Sequence, residues 1–141
     1  MTTAAETRRV FVEGPDVDAL RDFVLARWRE RADEMRLVVP EDLSSSCKFG
    51  ALLVRELHGG EIRGNWAHVH CRLPCGGILD PSRWAEDVET IRARELDPYE
   101  HDRTFIRSRD FRDSLETCIP RVKAWADEWR MAQKMPGRKA A

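Results

Sequence analysis

The sequence lacks any long apolar run. No segment approaches the roughly 20 consecutive apolar residues that a membrane-spanning helix needs. The first 14 residues, MTTAAETRRVFVEG, also lack the apolar segment of a signal peptide. We therefore expect a cytoplasmic protein that has no membrane partner.

The chain also lacks an excess of charge of either sign. Its 24 lysines and arginines are balanced by 25 aspartates and glutamates, which leaves a net charge of −1. Proteins that bind nucleic acid through phosphates release counterions with a surplus of basic residues. No such surplus exists here, so we expect no nucleic-acid partner.

Internal repeats and long linkers are absent as well. A chain of 141 residues without either is typical of one domain with one core. We assign residues 1–134 to a single α+β domain and 135–141 to a flexible tail. In a cytoplasmic protein, cysteines are expected to be reduced, metal-bound or catalytic rather than paired as disulfides. The chain has four: Cys47, Cys71, Cys75 and Cys118.

Apolar periodicity and turn residues predict three long helices and a β-hairpin. The helices run from Asp16, as N-cap, to about Met35, from the serines at 44–46 to about His58, and from Asp113 or Pro120 to about Lys134. The strands cover 61–73, broken near 64–65, and 78–80, joined by a PCGG turn. A short strand at 8–14 and a helix at 83–94 complete the prediction.

Cys47 follows three serines at the expected start of the second helix. A helix N-terminus carries unpaired N–H groups and a partial positive charge, which favour a thiolate and can hold an oxyanion. This position makes Cys47 a candidate nucleophile. A small buried hydrophobic side chain is the alternative, because free cysteine often plays that part.

A nucleophilic cysteine needs a base, which is usually histidine. Strand alternation places His68, His70 and Trp66 on one face of the first hairpin strand. Either histidine is therefore a candidate base.

Asp80 ends the second hairpin strand, where its carboxylate could orient an imidazole. A hairpin symmetric about Pro74 places His68 directly opposite Asp80. A tight turn at 75–76 instead places Cys71 there. The sequence leaves both registers open.

The order of a cysteine at a helix start, a histidine on a strand and an aspartate on the next strand resembles the transglutaminase-like and papain-like cysteine hydrolases. It is most similar to the small bacterial YunG-type proteins, in which Gly-Gly-Glu follows the cysteine, as 59–61 follows Cys47 here. Asp80 also lies twelve residues after His68. The resemblance covers about 42–84. It implies an α+β fold with N-terminal helices packed on a small antiparallel sheet.

The resemblance also implies a reaction. Cys47 would be the nucleophile, His68 the general base and Asp80 the residue that orients it, in a hydrolase or acyl transferase that needs no cofactor. The substrate would be a peptide, a protein or a small amide or ester. The glutamine that usually precedes the family's cysteine is Ser46 here. The candidates for the oxyanion site or pocket are Ser46, Asn65, Trp66 and His70.

Two other functions stay open. The segment HVHCRLPC, with Cys71 and Cys75, is rich in zinc ligands but contains no C-x-x-C pair, so a small zinc-stabilised domain is one alternative. The other is a catalytically inactive member of the family that acts as a protein-binding module. Five tryptophans could line such a binding surface. The sequence does not indicate an oligomeric state.

Overall fold

The computed structural model describes residues 9–134, which form a mixed α+β fold of five helices and one three-stranded antiparallel sheet. The tail predicted at 135–141 lies outside these residues, as does residue 8 of the predicted first strand. The helices are α1 (Pro15–Glu34), α2 (Cys47–His58), α3 (Glu86–Ala93), α4 (Arg103–Arg107) and α5 (Arg109–Lys134). The strands are β1 (Glu61–Gly64), β2 (Val69–Arg72) and β3 (Ile78–Leu79).

Helix α1 begins two residues earlier than predicted. Gly14 is the N-cap and Pro15 occupies the first turn, where its missing N–H costs nothing. Asp16 therefore lies inside the first turn, where a negative charge interacts favourably with the helix dipole. The predicted apolar face is buried from Val17 to Trp28, but Met35 follows the helix and is half-exposed.

Helix α2 lies at the centre of the fold and has the predicted bounds. It begins at Cys47 and ends before Gly59, which has the positive φ of 78° that favours glycine. Leu53 and Val54 are fully buried. The helix packs against α5 and against β2, so its first residue is held at a fixed place next to the sheet.

The segment 61–73 is two strands rather than one interrupted strand. The chain reverses at 65–68, where the Asn65 amide donates to the His68 carbonyl at 2.9 Å. Gly64 makes this reversal possible with a φ of 135°. His68 therefore lies at the end of the turn, just before β2.

The β2–β3 hairpin has neither of the predicted registers. Its loop spans three residues, 74–76, and closes with the Leu73 amide donating to the Gly77 carbonyl at 2.8 Å. Gly76 takes a positive φ of 94°, as such three-residue loops require. Cys71 pairs with Leu79. The same register, continued by one residue, places His70 rather than His68 opposite Asp80.

The predicted strand at 8–14 is reduced to one parallel bridge between Phe11 and Ile78. The predicted helix at 83–94 is shorter and covers Glu86–Ala93. At the other end of the chain, α5 begins at Arg109, earlier than either predicted start, and Pro120 lies inside it. Its ring removes one internal hydrogen bond from the helix.

Within residues 9–134, none of the helices combines the length and the apolar character needed to cross a membrane.

Two glycines, one in α2 and one before the turn at 65–68, give opposite predictions for substitution by alanine. A Cβ on Gly64 would stand 2.3 Å from the His68 carbonyl oxygen, at a φ that alanine rarely adopts. Gly50, inside α2, would place its Cβ 3.6 Å from Pro81, which is ordinary contact. We expect Gly64→Ala to lower the free energy of unfolding by at least about 2 kcal/mol. Gly50→Ala should raise it by up to about 1 kcal/mol.

Urea denaturation of the two variants and the parent chain measures both changes. Equal effects of the two substitutions would contradict the different backbone environments.

Candidate active site

Cys47 is the first residue of α2 and is partly exposed to solvent. Ser46, the N-cap, makes no side-chain capping bond to the helix. Its hydroxyl is buried and donates instead to the Leu43 carbonyl at 2.6 Å. The amide groups of the first turn, where Cys47 lies, are therefore not capped by a side chain.

His68 and Asp80 form a buried hydrogen bond. The imidazole Nε2 lies 2.8 Å from the carboxylate Oδ2, and the two side chains are 1% and 3% exposed. Diagonal neighbours across a hairpin are within reach of long side chains, so the bond forms although the two residues are not directly opposed. The predicted partnership is therefore present in a register that was not predicted.

The Cys47 thiol lies near the same imidazole. Burial opposes the charge of His68, but the hydrogen bond to Asp80, the negative charge of Asp80 and the nearby Cys47 sulfur outweigh it and raise the pKa of His68 to about 10. Because Nε2 is occupied by Asp80, Nδ1 is the atom left for the thiol. Nδ1 is buried and has no hydrogen bond of standard geometry within residues 9–134. A loose contact of this kind is common in catalytic pairs without substrate.

Three donors surround the Asp80 carboxylate. Oδ2 accepts from His68 and, at 2.7 Å, from the Tyr99 hydroxyl, while Oδ1 accepts from the Ser82 amide at 2.9 Å. Burial alone would raise the pKa of Asp80, but these three hydrogen bonds and the charge of His68 lower it below its ordinary value. The carboxylate therefore stays ionised inside the protein.

Tyr99 is the site residue that the sequence analysis missed. It lies in the irregular segment between α3 and α4, 19 residues after Asp80, where no periodicity or motif points to the hairpin. Its ring is buried and makes edge contacts with His68, His70 and Phe11. The one available signal was compositional, because Tyr99 is the only tyrosine in the chain.

The other predicted site residues do not join the Cys47–His68–Asp80 group, although His70 lies beside it and contacts Tyr99. His70 is buried on the same side as His68, and burial lowers its pKa to about 4, which leaves it neutral. The side-chain amide of Asn65 donates to the Glu100 carbonyl at 2.8 Å, and its side-chain oxygen accepts from the backbone amide of Ala67. Asn65 therefore stabilises the turn and is not free to hold an oxyanion.

Ser46 is also unsuited to the oxyanion role, because its hydroxyl proton is directed to Leu43. Its oxygen lies 3.2 Å from the Ser82 hydroxyl in a second buried contact. Trp66 is 73% exposed and lines a surface cleft with Asn65 and residues 96–97 and 100–103, but Cys47 is not part of that lining.

The remaining cysteines do not converge on the histidines. Cys71 is buried and directs its thiol to the Gly59 carbonyl, and burial raises its pKa to about 11. Cys75 is exposed in the hairpin loop, and Cys118 is buried in α5. In the part of the chain that the structure covers, all four cysteines are free thiols and no three potential metal ligands cluster together.

Comparison with known proteins identifies no relative of this chain. The chain matches no protein-family model, no curated protein and no solved structure.

The buried pair predicts a specific pH dependence of stability. The pKa of His68 is raised from 6.5 to about 10 in the folded chain, so the folded state binds the proton more tightly than the unfolded state. The stabilisation is complete below pH 6.5 and declines as the pH rises towards 10. We expect His68→Gln to flatten the loss of stability between pH 7 and 10.

Urea midpoints across this range provide the measurement. His58→Gln, the same change at the far end of α2, is the matched control and should keep the slope of the parent chain. A slope that His68→Gln leaves unchanged would contradict the charged pair.

Proposed function

We propose that the chain is a cysteine-dependent hydrolase or acyl transferase that acts on an amide or ester. The proposal rests mainly on one observation. A partly exposed Cys47 at an uncapped helix start lies near His68, which is hydrogen-bonded to the buried Asp80. A nucleophile, a base and a residue that orients the base are the parts that covalent acyl transfer needs.

In the first half-reaction, the Cys47 thiolate attacks the substrate carbonyl carbon and a C–S bond forms. The carbonyl π electrons move to oxygen and produce a tetrahedral oxyanion. The N–H groups of the first turn of α2, beginning with that of Cys47, are the donors that stabilise it. As the oxyanion collapses, the bond to the leaving nitrogen or oxygen breaks, and His68 gives that atom a proton.

In the second half-reaction, water or an amine attacks the acyl thioester. His68 takes a proton from the attacking group, and the C–S bond breaks to release the Cys47 thiolate. Asp80 holds the imidazole in one orientation and balances its charge in both steps. Water gives hydrolysis and an amine gives acyl transfer.

The order and geometry of Cys47, His68 and Asp80 also support the proposed membership of the transglutaminase-like and papain-like superfamily. A helix that carries the cysteine packs on a small antiparallel sheet, next to the histidine and the aspartate. The substrates we propose are a peptide, a protein or a small amide or ester. A partly exposed thiol beside buried partners is consistent with a substrate that approaches from the start of α2.

Cys47 should react faster with iodoacetamide than a thiol outside the site. The exposed Cys75 is the internal reference in the same molecule. At pH 6.5 we expect Cys47 to be alkylated at least about tenfold faster, because imidazolium keeps part of it as thiolate. In His68→Gln, its rate should fall to that of Cys75. Peptide mass spectrometry of timed samples measures both rates.

Asp80→Asn is the companion variant in this experiment and should reduce the Cys47 rate with the Cys75 rate unchanged. A Cys47 that reacts no faster than Cys75, or is indifferent to His68, would refute the proposal. That result would favour a catalytically inactive binding module.

A covalent intermediate should form with an activated ester. We expect intact mass spectrometry after mixing with 4-nitrophenyl acetate to show one acetyl group, mapped to Cys47 and missing from Cys47→Ser. Loss of the adduct with time, accelerated by added glycine amide, would indicate transfer to amines. Loss of the adduct in buffer without added amine would indicate hydrolysis. Acetylation of Cys47→Ser at the rate of the parent chain would refute Cys47 as the nucleophile.

A further inference from the structure

Tyr99 shares one carboxylate oxygen with the base of the triad. Its hydroxyl donates to Asp80 Oδ2 at 2.7 Å, the same atom that lies 2.8 Å from His68 Nε2. Two donors on one oxygen compete for its electron density, so the bond to Tyr99 weakens the hold of Asp80 on the histidine proton. This arrangement links the phenol hydroxyl to His68 through the Asp80 carboxylate.

The Tyr99 ring is held in place on several sides. It is 6% exposed and makes edge contacts with His68 at 5.5 Å, His70 at 5.1 Å and Phe11 at 4.9 Å between ring centroids. Burial and the Asp80 carboxylate raise the pKa of the phenol, so it remains a donor across the neutral range. The hydroxyl is therefore a fixed donor, and Asp80 cannot rotate away from it without losing a buried bond.

A base in acyl transfer must release its proton as readily as it takes it. If the imidazole were the only donor to the Asp80 carboxylate, the carboxylate would stabilise protonated His68 more strongly. His68 would then be a poor acid toward the leaving group. The Tyr99 hydrogen bond, which is the second on Oδ2, draws charge from that oxygen and moderates this effect. We propose that Tyr99 is a positioning residue of the triad, which fixes the Asp80 carboxylate and limits how tightly it retains the proton of His68.

This inference rests on the proposed triad, but its test does not depend on turnover. Tyr99→Phe keeps the ring and removes only the hydroxyl. Because the chain has one tyrosine, growth on 3-fluorotyrosine changes Tyr99 alone and makes its phenol a stronger donor. The two changes act on the same bond in opposite directions.

The measurement is the titration of the His68 ring by NMR in the full-length chain labelled at histidine, with the signal assigned from His68→Gln. We expect the titration midpoint to rise by roughly half a pH unit or more in Tyr99→Phe, because an unshared carboxylate retains the proton longer. It should fall in the fluorotyrosine protein. If Tyr99→Phe does not fold, the fluorotyrosine protein alone decides the sign.

Identical midpoints in the three proteins would overturn the inference. Shifts of the same sign in both altered proteins would also overturn it, because they would reflect altered packing and not the donor strength of the phenol. The alkylation experiment separates this failure from failure of the proposed function. If Cys47 reactivity depends on His68 but the His68 titration midpoint is the same in all three proteins, the proposed triad is supported and Tyr99 is not part of it.

Discussion

The buried carboxylate of Asp80 is the constraint on which the irregular parts of this fold depend. An isolated charge in a protein interior is far too costly to keep, so each ionised oxygen must find donors. Asp80 finds them in three places: His68 at the start of β2, Tyr99 from the segment before α4, and the Ser82 amide in the turn that follows. These segments must meet at one point for the folded state to be stable, which gives long loops a defined position without regular secondary structure.

A second set of polar contacts secures the same loops from the other side. The side chain of Asn65 connects two segments: it donates to the Glu100 carbonyl and accepts from the Ala67 amide. The Asp102 amide donates to the Gly64 carbonyl at 2.7 Å. The segment that carries Tyr99 is thus held close to the turn that carries His68. This explains why Asn65, which the sequence suggested as an oxyanion donor, has a structural part instead.

Helix α2 and the presence of a hairpin were predictable because their signals are local. Helix α2 has an apolar face and a glycine stop, and the hairpin has a turn rich in proline and glycine between two short strands. The hairpin register was not predictable, because one residue more or less in the 74–76 loop changes which residue faces Asp80. His68 still reaches Asp80, because the turn at 65–68 places it diagonally across the hairpin. Tyr99 could not be found at all, since its partner lies 19 residues away and only the folded chain brings them together.

The three serines before Cys47 show where local stability and the proposed chemistry conflict. A serine at the N-cap usually stabilises a helix by about 1 kcal/mol when its hydroxyl accepts from a first-turn amide. Here Ser46 turns inward to Leu43, and Ser44 accepts from the Asp87 amide of α3 instead. Ser45 takes a strained positive φ of 68° between them.

The consequence of this arrangement lies at the start of α2. The serine hydroxyls fasten the loop to the core and to α3, while the first-turn amides of α2 have no side-chain cap. A capping hydroxyl would occupy the space in which the proposed oxyanion forms, beside the Cys47 thiol. Departures from local stabilisation rules are expected at functional positions. The uncapped helix start and the buried His68–Asp80 bond are independent features of the sequence, and in the proposed mechanism both act on the same sulfur atom.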